Sequence, residues 1–234
     1  MKSLRLSRFH KYGTGILILC LVLTGCVSTD FKVETLAKTD VNVVSDIHIQ
    51  QTAVLLKRLT RKLYKMNSRE LAKTPGATVD RQLSQLFQCP PPAPSPLINQ
   101  KTDTQALLLT FDPEYTGDRV YAMIYGLTTM LHKAYDENCD TFMLDFLNAQ
   151  NLYNAARNIE ILVWRLKTRR KADGRLFLTT NICDGPIQNL SYERLFGKLI
   201  SLQDTMALII STRTNRIITE VVHTAGMTFL PVGL

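Results

Sequence analysis

The chain has 234 residues, with 28 Lys and Arg against 20 Asp and Glu, a formal charge of +8 and a pI of about 9.3. Four of the basic residues, Lys2, Arg5, Arg8 and Lys11, precede residue 26 and no acidic residue does, so 24 basic and 20 acidic residues remain beyond it, a charge of +4. The high pI is therefore partly a property of the leading segment, which excludes nucleic acid as the default partner, and the remaining length suits one domain or one domain with an extension.

The basic start is followed by an almost wholly apolar run from Gly13 to Leu23. It is shorter than the roughly 20 residues that a membrane-spanning helix needs. A basic segment, a short apolar segment and small residues at the end describe a secretory signal peptide over residues 1–25. Its last residues, Leu23-Thr24-Gly25-Cys26, resemble the lipobox of bacterial lipoproteins. That resemblance implies cleavage before Cys26 and acylation of its thiol. One acyl chain holds a protein only marginally to a bilayer. The several chains carried by such lipoproteins imply permanent attachment. Val27 and Ser28 follow the cysteine, with no aspartate to signal retention in the inner membrane of a Gram-negative cell. The expected location is the outer membrane, with the inner membrane as the alternative and the domain facing the periplasm.

Residues 26–47 are polar with weak periodicity and read as a tether, which as a flexible chain would reach about 25 Å. A helical domain is expected over 48–234. Leu55, Leu56, Leu59, Leu63 and Met66 recur at helical steps within 48–73, and Pro75-Gly76 ends that helix. Val79, Leu83, Leu86 and Phe87 mark a short second helix. "CPPPAPSP", residues 89–96, has five prolines in eight positions and is a stiff extended connector. "ALLLTF", 106–111, fits a strand or a buried helical turn. Asp118 is placed to cap a helix carrying Val120, Met123, Ile124, Leu127, Leu131 and Ala134. A further helix is expected from Thr141 to about Lys167, with Leu152, Ala155, Ala156, Ile159, Leu162, Val163 and Leu166 on one face. Ser191 is placed to cap another, which, through Ile217, Ile218, Val221 and Val222, reaches about Ala225. The fold class is all-α: a bundle of about five or six amphipathic helices, with minor short strands possible at the edges.

"TFDPEYTGDRVYAMIYGL", "NLYNAARNIEILVWRL" and "NLSYERLFGKLISLQDTMA" resemble segments of a family of uncharacterised lipoproteins from Gram-negative bacteria. The resemblance spans most of the chain beyond Cys26. It implies the envelope location and no particular chemistry.

Catalytic motifs are missing: there is no G-x-S-x-G, no H-E-x-x-H and no glycine-rich phosphate loop. Cys20 leaves with the leader and Cys26 is acylated, so Cys89, Cys139 and Cys183 are the remaining thiols. None has zinc spacing or a nearby histidine in sequence, and no metal or cofactor is expected. A disulfide, if formed, would join Cys139 to Cys183, because each lies in a loop at a helix end; spacing alone leaves the connectivity open. His48, His132 and His223 are far apart. His132 and Asp136 are four apart and would share a helical face. Asp112, Glu114 and Asp118 cluster without the pattern of a calcium-binding loop. Arg157, Glu160 and Arg165, with Arg194 and Asp204 on the next long helix, suit an interhelical polar network. Lys57, Arg61 and Lys65 step by four along the first helix and are the candidate residues for binding anionic lipid headgroups.

These observations lead to a non-enzymatic scaffold or adaptor of the cell envelope, held to the membrane through lipidated Cys26 and partnered by an envelope protein. The alternatives are an enzyme with an unrecognised site near Arg157 and Glu160, and a headgroup-binding module that uses the basic first helix.

Overall fold

The computed structural model describes residues 40–139, 147–181, 189–220 and 228–233. Among them are seven α-helices: α1 (Asp40–Met66), α2 (Ser68–Leu71), α3 (Val79–Leu86), α4 (Asp103–Leu109), α5 (Arg119–Ala134), α6 (Ala149–Thr168) and α7 (Ser191–Thr214). The protein is an all-α bundle; the described residues contain no strand, only an isolated antiparallel bridge between Arg170 and Leu176.

Helix α5 is the centre. It buries residues all round: Val120, Ala122, Met123, Ile124, Tyr125, Leu127, Met130, Leu131 and Ala134 are each less than 5% exposed. Only Tyr121, Thr128, His132 and Lys133 of its sixteen residues are partly exposed, so the helix has to be covered on nearly every side. Helices α1, α2, α3, α4 and α6 all pack on it. Helix α7 closes the outside by running antiparallel to both α1 and α6. His48 Nδ1 lies 3.2 Å from the Leu202 carbonyl, and Tyr192 donates to the Lys62 carbonyl at 2.8 Å, which sets α7 against α1. Arg157–Asp204 and Lys167–Glu193 set it against α6.

The local signals explain most boundaries. Thr78 Oγ1 accepts from the Arg81 amide and starts α3; Asp118 Oδ1 accepts from the Tyr121 amide and starts α5. Four boundaries differ from the sequence reading. Helix α6, expected from Thr141, begins at Ala149, where the Asn148 side chain accepts from the Gln150 amide. Helix α1 begins at Asp40, inside the stretch read as tether, because there is an α7 for it to pack on: Ser45 is fully buried and His48 reaches Leu202. It ends at Met66, where Asn67 turns its amide onto the Leu63 and Thr179 carbonyls. Helix α7 ends at Thr214, since Asn215 adopts the left-handed conformation (φ 53°) that closes a helix; Ile217 beyond it is 96% exposed. Residues 106–111 resolve as helix, in α4 and the turn after it.

The extended segments have no sheet to join, so side-chain amides take their backbone groups. Asn67 accepts from the Thr179 amide and donates to its carbonyl. Asn158, fully buried on α6, does the same for Leu230. Asn154 donates to the Pro231 carbonyl and Gln150 pairs with both backbone groups of Thr219. The proline connector is tied down where the Tyr125 hydroxyl donates to the Pro92 carbonyl at 2.7 Å.

Gly126 sets the distance between α4 and α5. A methyl there would lie 2.7 Å from the Asp103 carbonyl oxygen and 2.8 Å from the Leu107 amide nitrogen, both backbone atoms. Alanine normally stabilises a helix interior by about 0.5–1 kcal/mol relative to glycine, but forced overpacking costs about 1–3 kcal/mol. The clash dominates. Gly126→Ala is expected to lower unfolding stability in urea by about 1–2 kcal/mol; a gain would mean that α4 is not seated against α5.

Candidate functional site

The outer face of the α1–α7 pair carries a set of exposed cations. From Ile47 to Arg69 the chain has no acidic residue. Arg58, Arg61 and Lys65 on α1 are exposed and follow one another at steps of three or four, one helical stripe, and Arg69 on α2, past the break at Asn67, is exposed as well. Arg194 and Lys198 on α7 join them. Arg58 and Lys198 line one shallow groove with Gln51, Val54 and Ser201. Lys62 has its ammonium pKa lowered by burial and then by the like charge of Arg194, which places the two cations near each other. Lys62 itself is engaged, hydrogen-bonded to Ser191 Oγ and lying 4.5 Å from the Tyr192 ring centre. None of the six exposed cations has a carboxylate partner among the described residues.

Two acidic residues that would neutralise this face are turned away. Glu70 is buried, held by Lys73 at 2.7 Å and by the Arg119 amide at 2.9 Å. Glu193 pairs with Lys167 at 3.0 Å and accepts from Asn181 at 2.6 Å. Of the three residues singled out for headgroups, Arg61 and Lys65 are on the open stripe. Lys57 is half-buried, its ammonium 5.5 Å from the Phe87 ring centre, and Arg58 stands on the stripe in its stead. Phe87 belongs to the turn after α3, and nothing in the spacing of the first helix signals that contact.

The Arg157 cluster is an interhelical tie. Its guanidinium meets Asp204 on α7 at 2.8 and 3.1 Å and Glu160 at 3.1 Å, and lies 4.9 Å from the Tyr153 ring centre. Arg194 is outside this network, on the basic face. Arg165 packs 4.5 Å from the Phe229 ring centre.

A polar groove of about 470 Å3 is lined by Lys73, Arg81, Gln85, Tyr115, Asp118 and Tyr121. Asp118 forms its floor and is 5% exposed. Tyr64 donates to its Oδ2 at 2.8 Å, while Oδ1 caps α5. Burial raises its carboxyl pKa from 3.8 to about 6, against the lowering pull of the Tyr121 amide and the Tyr64 hydroxyl. Both oxygens are thus engaged, Oδ2 in joining α1 to α5 and Oδ1 in capping α5. Asp112 is occupied separately, accepting from the Glu114 amide. The acidic turn is a set of caps, and its carboxylates do not converge.

The cysteines pair differently from the expectation. Cys139 is bonded to Cys89, with Cα atoms 5.7 Å apart, and so is not available to Cys183. Cys183 lies outside the described residues, as do Cys26 and His223. The bond ties the turn after α5 to the start of the proline connector, closing a loop with a sequence separation of 50. In a chain-entropy account such a closure stabilises by about 4 kcal/mol. His132, distant in sequence from Cys89, is brought beside both cysteines: a ring nitrogen and the two sulfurs all lie within 4.8 Å. Asp136 is not on the face of His132, because α5 stops at Ala134 and Asp136 has φ 57°.

No helix among the described residues is long and apolar enough to cross a membrane. No protein-family model, no curated protein and no solved structure matches the chain.

Asp118 gives the fold a pH signature. Its folded pKa of about 6 exceeds the ordinary 3.8, so the folded state holds the proton more tightly than the unfolded state. The resulting stability is fully present below about pH 4 and lost as pH rises through about 6, a change of roughly 3 kcal/mol for two pH units. Asparagine can still cap α5 and donate to the Tyr64 oxygen. Asp118→Asn should therefore remove this decline. The difference in unfolding stability between the two chains, followed from pH 4 to 7, is expected to shift by about 2–3 kcal/mol in favour of the variant; a pH-independent difference would place Asp118 in contact with water.

Proposed function

We propose that this chain is an envelope lipoprotein, attached through acylated Cys26, whose helical domain serves as a non-enzymatic scaffold or adaptor and is oriented by laying the α1–α7 face on anionic headgroups. The observation that carries the reading is the stripe of Arg58, Arg61 and Lys65, joined by Arg69, Arg194 and Lys198, with no carboxylate partner among the described residues. Each such side chain contributes about 1 kcal/mol near an anionic surface. The attraction fades within a Debye length of about 8 Å at physiological salt. Six of them bind weakly by themselves. An acyl anchor makes the contact intramolecular, so weak attraction is enough to set orientation.

The scaffold reading also accounts for the two polar clusters. Arg157 with Asp204, and Asp118 with Tyr64, spend their hydrogen bonds on joining helices. The location in the outer membrane, facing the periplasm, rests on the signal segment and on Val27 and Ser28 after the cysteine.

The experiment uses the chain from Val27 onward, mixed with vesicles of anionic or neutral lipid and sedimented. Binding is expected for anionic vesicles, to weaken steeply between low and physiological salt, and to be lost when Arg58, Arg61 and Lys65 are all changed to Gln. The triple change leaves the buried face of α1 untouched, so helical content should be unaltered. Equal binding to both vesicle types, or none at low salt, rejects the orienting face.

A further inference from the structure

The corner formed by Cys89, Cys139 and His132 brings together three ligand-type atoms from two ends of the chain's central segment. Cys89 opens the proline connector, Cys139 follows the end of α5, and His132 is on the last turn of α5. The two sulfurs are bonded at 2.03 Å, and one imidazole nitrogen lies with both of them inside 4.8 Å. Neither ring nitrogen of His132 has a hydrogen-bond partner among the described residues. Cys89 is exposed, so the bond is open to attack from solvent. On the inner side, Cys89 and His132 belong to the wall of an apolar cavity of about 130 Å3, with Leu56, Phe87, Leu131 and Tyr135.

We propose that reduction of the Cys89–Cys139 disulfide turns this corner into a three-ligand site for a thiophilic divalent cation of the zinc class, which the oxidised chain does not hold. In the first step a soluble dithiol gives up two electrons and two protons. The Cys89–Cys139 bond breaks to two thiols, and the reductant leaves as its own disulfide. In the second step the cation takes both thiolates and the His132 nitrogen, and two protons are released to water. Zinc–sulfur bonds of about 2.3 Å in a tetrahedral site place two sulfurs roughly 3.8 Å apart, and nitrogen at about 2.0–2.1 Å from the metal fits beside them. Reduction frees the two cysteine side chains to rotate apart to that spacing. His132 is carried by the rigid central helix and needs no comparable movement. Two thiolates and one imidazole leave the fourth position for water. An oxidising envelope keeps the bond closed, so metal uptake at this corner reports arrival of a reductant.

The test uses the full chain in detergent, with Cys183 changed to Ser in every sample so that its thiol is not counted. Oxidised and phosphine-reduced samples are titrated with Zn2+ against a chromophoric chelator, and with Co2+ for thiolate-to-metal charge-transfer absorption. The reduced chain is expected to take up one equivalent more than the oxidised chain and to release it on reoxidation. His132→Ala should weaken that uptake by at least about tenfold, the loss that even a supporting contact causes, while keeping the helical circular dichroism of the oxidised parent. Equal uptake by oxidised and reduced chains overturns the proposal. So does a His132→Ala chain that binds as tightly as the parent, or a reduced chain that loses its helical signal and takes up no metal.

Discussion

A helix buried around most of its circumference cannot lie at a surface, and twelve of the sixteen residues of α5 are buried. The consecutive residues Ala122, Met123, Ile124 and Tyr125 point to different quarters and are each at most 1% exposed. The rest of the fold follows from that demand. Helices α1, α4 and α6 cover three sides, and α2 and α3 pack at further points. Gly126 lets α4 approach to backbone contact, and Tyr125 reaches out to fasten the proline connector. The Cys89–Cys139 bond then joins the two ends of the segment that wraps α5.

Covering a helix partly with extended chain raises a second demand, because extended backbone in a helical protein has no ladder to join. A buried donor or acceptor left unmade costs about 1–3 kcal/mol. Asn67 and Asn158 meet this by offering a donor and an acceptor in the geometry of a neighbouring strand, to Thr179 and Leu230. With these ties made inside, the charged residues of α1 and α7 are free of structural duty on their outer faces. Helix pairing uses Lys62, Tyr192, Thr52 and Gln203; Arg58, Arg61, Lys65, Arg194 and Lys198 take no part in it.

The features legible in the sequence are those that depend on near neighbours. The capping residues Thr78 and Asp118, the apolar stripes of α5 and α6, and the stiffness of residues 89–96 all belong to this class. What the sequence hid depends on distant partners. Residues 40–47 have weak periodicity and become helix only because α7 lies alongside. The apolar spacing of Ile217 and Ile218 suggested more helix, but Asn215 turns left-handed first. Lys57 and Arg58 are equally basic, and only the position of Phe87 decides which one is half-covered. The approach of His132 to Cys89 is set by α5 and the connector meeting at one corner, so no motif of adjacent residues could announce it. Asn67 reads as an ordinary helix residue until Thr179 is placed opposite.

In the proposed function an anchored domain would turn its cationic α1–α7 face to lipid. The direct measurement is quenching of a single probe on the acylated full chain in vesicles, with Cys183 changed to Ser and the new cysteine placed at Ser68 or Gln105. Ser68 is exposed beside Lys65 and Arg69, and Gln105 is exposed on α4. A water-soluble quencher should lose access to the probe at 68 in anionic vesicles and keep access in neutral ones, while the probe at 105 stays open in both. Equal access at the two positions in anionic vesicles would contradict the account.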